Sequence, residues 1–172
     1  GNNNAYCQDN EISWYDWELD GRREALLAFT RRLIDLRQRH PNLCRRKFFQ
    51  GRPIRGSDVK DITWFTPDGT EMTEKDWAAG WQRCFGKRLG EQLGEVDEQG
   101  ELIVDDVLLI LLNGYHEPLP FTLPPARDGE IWELVIDTSR PERREEKRRL
   151  DPGARLDLAA RSLALLRGGS SG

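Results

Sequence analysis

The chain has 172 residues, 33% of them charged, with a formal net charge of −4. Both signs are abundant and nearly balanced, which excludes an overall field drawing it to nucleic acid or an anionic membrane. No apolar run approaches the ~20 residues needed to cross a bilayer.

Six Trp and six Phe in a 37% hydrophobic chain supply the core of one medium domain plus an attached element. Cys7, Cys44 and Cys84 are odd in number and form no CxxC pair, so neither a disulfide framework nor a zinc site is expected. A reducing, cytoplasmic setting follows. The segment GNNNAYCQDNEISWYDW opens without Met and reads as a surface cut from something larger. Asn2, Asn3 and Asn4 favour turns, because their short amides compete for backbone hydrogen bonds. Tyr6, Trp14, Tyr15 and Trp17 offer flat apolar faces beside the polar edges of Asn3, Asn4, Gln8, Asp9 and Asn10. Hydroxyl-rich sugars need that pairing of ring faces with donors and acceptors.

From Asp20 to Arg39, Leu26, Phe29, Leu33 and Leu36 recur at steps of three and four and predict an amphipathic helix. Asp20 is its expected N-cap, Arg37 and Arg39 suit its C-terminal dipole, and Pro41 ends it. Without a partner for its stripe, this helix must pack on the following domain, dimerise or stay exposed. A boundary is expected near residues 41–44.

Beyond it the periodicity shortens. Strands are expected at 45–50, 61–65, 82–89, 107–112, 119–123, 132–136, 155–158 and 162–167. The uninterrupted run Val107 to Leu112 predicts a central strand covered on both faces. Pro67-Asp68-Gly69 and Asn113-Gly114 predict turns, and Thr73-x-x-Asp76 before Trp77 predicts a short helix. The glycine-rich acidic stretch 90–101 is expected to be an exposed loop, and the charged runs Arg45-Arg46-Lys47 and 140–149 an edge strand and a solvated loop. The terminal GGSSG, residues 168–172, reads as a flexible tail.

The opening seventeen residues closely resemble a signature of bacterial glycogen debranching enzymes, the isoamylase-like members of the α-amylase superfamily. The likeness is dense over about the first forty residues and looser, by pattern of strands, beyond. It implies that residues 1–43 end a catalytic (β/α)₈ barrel, as the loop after the eighth strand and the eighth helix. Residues 44–167 would then form a C-terminal antiparallel β-sandwich. The fold class expected is therefore mainly β with one N-terminal amphipathic helix.

The implied activity is hydrolysis of α-1,6-glucosidic branch linkages by the parent protein, with retention and without a cofactor. The implied partners are glycogen or another branched α-glucan and the upstream barrel. In that family the catalytic carboxylates precede the residues present here, so no catalytic residue is assigned and the isolated chain is expected to be inactive. Asn3, Asn4, Tyr6, Asp9 and Asn10 are the expected substrate-binding residues, at the barrel face where loops build active sites. Their purely structural alternative is a hydrogen-bonded loop, and for Trp14 and Trp17 a clamp between loop and sandwich. His40 and His116 lack a metal-ligand spacing, and His40 is expected as a cation at the helix end. The alternative function is a stand-alone, non-catalytic carbohydrate-binding or interaction module.

Overall fold

The computed structural model describes residues 6–53, 60–125, 130–142 and 148–170. Helix α1 runs Gly21–Arg39. The Asp20 carboxylate accepts from the Arg23 backbone N–H at 2.8 Å, satisfying one of the orphan donors of the first turn. At the other end, the His40 N–H closes on Leu36 O, and Pro41 opens a 3-10 turn, Pro41–Leu43.

The β strands that follow are β1 (Ile62–Phe65), β2 (Cys84–Leu89), β3 (Gln92–Val96), β4 (Leu102–Val104) and β5 (Leu108–Asn113). They continue with β6 (Leu119–Thr122), β7 (Glu130–Asp137), β8 (Arg148–Leu150), β9 (Arg155–Leu158) and β10 (Ser162–Ser170). A short helix α2, Glu74–Trp77, starts at Thr73 as its motif predicts. Six strands form one antiparallel sheet in the order β1-β2-β5-β10-β7-β8, while β3-β4 and β6-β9 form separate pairs.

The expectation for the apolar run holds. β5 lies inside the large sheet, and Leu108, Leu109 and Leu111 are all 0% exposed. Its alternation divides the core. Leu109 and Leu111 join Trp132, Leu166, Phe121, Leu156 and Leu158 in the layer between the large sheet and the β6-β9 pair. Leu108 faces the other way and joins Leu36, Ile62, Leu89, Ile136 and Leu165. Helix α1 therefore covers the outer face of the sandwich through Leu36 and the partly buried Phe29, giving three layers. Leu26 and Ile34, 64% and 53% exposed, lie outside this contact.

A bulge in β7 shapes that contact. Leu165 pairs with Ile136 and Leu166 with Leu134, so Val135 is the extra residue and shares the α1 side with Ile136. Its carbonyl accepts from the Arg32 guanidinium of α1.

Turn chemistry fixes two of the connections. Gly69, at φ +78, closes Thr66 to Thr70, and an added Cβ would stand 2.7 Å from Thr122 O. Asn113 is 1% exposed and knits the loop after β5, donating to Glu117 O and Ala159 O and accepting from the Tyr115 N–H, each at 2.9 Å.

Four expectations need correction. The stretch 90–101 is largely the β3-β4 hairpin, because Asp97 Oδ1 accepts from the Gln99 and Glu101 N–H groups and Gly100 adopts φ +86, while Leu93 is buried. Residues 45–50 form no strand. Arg45 is instead drawn inward, its guanidinium 3.1 Å from Asp61 Oδ2 and 4.5 Å from the Phe49 ring centroid. Part of the run 140–149 is strand, since Arg148–Leu150 pairs with β7. Finally, β10 continues through Gly168, Gly169 and Ser170, which therefore belong to the sheet rather than to a tail.

Candidate functional site

The described part of the opening segment is organised by Asn10. Its backbone carbonyl accepts from the Ser13 and Trp14 N–H groups, and its Oδ1 accepts from the Ile12 N–H at 3.1 Å. The Ser13 hydroxyl returns to Gln8 O. Asp9 Oδ1 takes the Trp14 indole N–H at 2.7 Å. Tyr15 and Trp17 meet edge to face at 5.0 Å between ring centroids. Asn10 therefore acts as a turn residue through the local side-chain to backbone bonding that makes asparagine a poor helix or strand interior.

Asp16, Glu18 and Asp20 converge on Arg23. The Arg23 guanidinium lies 2.7 Å from Asp16 Oδ2 and 3.1 Å from the Glu18 carbonyl oxygen. That hydrogen bond, seconded by the Glu18 N–H, holds the Asp16 carboxyl below the ordinary carboxylate range. A general acid in glycoside hydrolysis needs the opposite shift, a carboxyl kept protonated near neutrality. Asp16 thus serves as a brace between the loop and α1.

Of the expected sugar-binding residues, Asn3 and Asn4 lie outside the described residues. Asp9 and Asn10 belong to the turn closed on Ser13 and Trp14, whereas Tyr6 precedes it with its side chain 90% exposed and no described side-chain contact to either. Trp14 and Trp17 do not clamp the loop onto the sandwich: they are 58% and 79% exposed and contact Asp9 and Tyr15. The segment presents its rings outward together with the free stripe of α1.

His40 is a buried junction. Its Nδ1 lies 2.8 Å from Asp105 Oδ1, and with an acceptor-only carboxylate opposite, that nitrogen carries the proton. Asp105 Oδ2 accepts from the Asn42 N–H at 2.9 Å, and the Asn42 amide donates to Gly90 O at 2.8 Å. His40, Asp105 and Asp106 bring ligand atoms within 4.8 Å of one another. The Asp105 oxygens are already engaged by His40 and by the Asn42 and Asp106 N–H groups, and Asp106 lies 3.5 Å from Arg167. The arrangement ties α1 to the sandwich. It does not present an open coordination sphere.

A groove of about 890 Å³ separates α1 from β7 and β10, lined in part by Phe29, Arg32, Asp35, Glu133 and Arg167. Its charges are largely matched: Arg39 pairs with Asp35, and Arg167 with Glu133. A second aromatic group was not singled out from the sequence. Trp64 meets Trp77 at 5.3 Å and Phe85 at 5.7 Å, with the Lys87 ammonium 5.7 Å from the Trp64 ring centroid. The signal was the pairing of Trp77 with the helix-start motif at Thr73. Among the described residues, no helix is long and apolar enough to cross a membrane.

The fold defined by these elements is an antiparallel β-sandwich carrying one amphipathic helix on its outer face. The model of the isoamylase C-terminal family matches residues 61–168, and the chain belongs to that family. It is 44% identical over 82% of its length to a glycogen operon protein GlgX homolog of Mycobacterium tuberculosis. It is 45% identical over 78% of its length to a glycogen debranching enzyme of Dickeya chrysanthemi, and 26% identical over 81% to an isoamylase of a Flavobacterium species. The chain spans 20%, 16% and 17%, respectively, of the length of these relatives.

Proposed function

We propose that this chain is the C-terminal part of a glycogen-debranching glycoside hydrolase that cleaves α-1,6-glucosidic branch linkages in the cytoplasm. The observation that carries the reading is the likeness, over more than three quarters of the chain, to relatives named as glycogen debranching enzymes. The exposed stripe of Leu26 and Ile34 supports it, since a helix packed on a sandwich by one face and apolar on another is suited to a second layer of polypeptide. Residues 1–43 would close the catalytic barrel, with the sandwich from residue 44 onward braced against it through Leu36 and His40. Asn3, Asn4, Tyr6, Asp9 and Asn10 would line one wall of the glucan cleft, with Asn10 setting the turn and Tyr6 offering its ring. The proton-transferring carboxylates belong to the polypeptide upstream.

The test compares the full-length gene product with the 172-residue chain on glycogen, measuring released linear maltooligosaccharides. Release by the full-length protein and none by the chain is expected. Release by the chain alone, or none by the full-length protein, overturns the reading.

A further inference from the structure

Helix α2 buries none of its residues. A four-residue helix without a core contact has little intrinsic stability, because helix nucleation is costly. It is nonetheless fixed at its start, where Asp76 Oδ2 accepts from the Thr73 backbone N–H at 2.8 Å and from the Thr73 hydroxyl at 2.7 Å. What this anchoring holds in place is Trp77, 51% exposed and standing at 79° to the indole of Trp64. The Phe85 ring lies 5.7 Å from that of Trp64, tilted by 57°, and the direct cross-strand partner of Trp64 is Lys87. The result is a right-angled corner of two indoles with a primary ammonium beside it.

We propose that Trp64, Trp77 and Lys87 form a surface site for a glucose unit of an α-glucan chain, separate from the opening segment. The choice of an α-glucan rests on the reading of the parent as a debranching enzyme. One indole face takes the C–H groups of a pyranose, the perpendicular indole borders it, and the three N–H donors of the ammonium suit sugar hydroxyls. The size of the corner decides against a protein partner. Two indoles bury about 150–250 Å² each, whereas a stable protein interface takes about 800 Å² from each side.

The experiment is electrophoresis of the full-length protein through glycogen-containing gels, with maltoheptaose binding followed by tryptophan fluorescence. Trp77→Ala should weaken glycogen retardation and raise the Kd for maltoheptaose about tenfold, the scale of one aromatic contact. Trp77→Phe should restore part of the loss. Lys87→Met, which keeps the stem and removes the donors, should weaken binding without lowering the Tm. Cleavage of a short branched oligosaccharide should stay at the wild-type rate in all three.

Wild-type retardation by both Trp77→Ala and Lys87→Met overturns the proposal. So does a lowered Tm for Trp77→Ala with unchanged retardation, which would mean that polypeptide covers the corner. A wild-type protein that binds glycogen through these residues but cleaves nothing supports the site and overturns the debranching reading alone.

Discussion

His40 Nδ1 and Asp105 Oδ1 lie 2.8 Å apart, although 65 positions separate them in the chain. The contact joins the C-cap of α1 to the short segment between β4 and β5 that leads into the middle of the sheet, with side chains only 10% and 5% exposed. Asp105 serves three donors here and His40 a single acceptor, so the two ends of the contact are unequal.

Asp105→Ala should therefore cost more than His40→Ala. Removing the carboxylate strands buried donors on His40 and Asn42, at about 1–3 kcal/mol for each unsatisfied group, whereas removing the imidazole leaves Asp105 with its backbone partners. Urea unfolding of both variants checks the order. Equal midpoints would show that the aspartate has no such anchoring role.

Gly86 sits where β2 passes beneath Phe121. A Cβ there would lie 2.8 Å from Phe121 Cζ and 3.1 Å from Leu111 Cδ2, so the ring requires the absence of a side chain. Gly86→Ala should destabilise by about 1–3 kcal/mol through overpacking. Adding Phe121→Leu, which removes the obstructing ring edge, should make the pair less than additive in thermal unfolding. Strict additivity would contradict the steric account.

Cys84 is 2% exposed, and burial pushes its thiol up to about 11, while Cys7 and Cys44 are exposed. A thiol reagent at pH 8 should label Cys7 and Cys44 and reach Cys84 only after denaturation. The sign for stability follows from linkage. Between pH values of about 9 and 11 the unfolded chain loses this proton first, so stability should fall as pH rises through that window. Rapid labelling of all three thiols in the folded protein would refute the assignment.

The Asp16 to Arg23 pair braces the loop against the start of α1. Its hydrogen bond lowers the Asp16 carboxyl, so the unfolded state binds that proton more readily. The stabilisation is present at neutral pH and lost as pH falls through the depressed folded value. An NMR titration should place the Asp16 carboxyl midpoint below that of a free aspartate, moving upward with added salt because the pair is exposed. A midpoint in the ordinary range would rule the brace out.

Local chemistry made much of this molecule readable in advance. Asp20, Pro41, Pro67-Asp68-Gly69, Asn113-Gly114 and Thr73-x-x-Asp76 all act where their side-chain and backbone preferences place them. The all-apolar run around Leu109 could only be a doubly covered strand. The β3-β4 hairpin escaped because its Asp97 turn was masked by glycines and acids that also typify loops. Arg45 was misread because its neighbours Arg46 and Lys47 look solvated, and only the distant Asp61 explains its inward turn. For the candidate site, Asn10 and Asp9 were recognisable as polar residues among aromatics. The corner of Trp64, Trp77 and Lys87 was not, since β1, β2 and α2 meet only through long-range pairing.

The sheet order puts β10 between β5 and β7, so the last in chain order of the ten described strands fills the middle of the large sheet. Until it emerges from the ribosome, Leu109 and Leu111 on one neighbour and Trp132 on the other have no strand between them, and two hydrogen-bonding rims stay bare. A nascent chain halted before Ser162 would thus be exposed to mispairing with its neighbours. Completion of the large sheet rests on Ser162–Ser170.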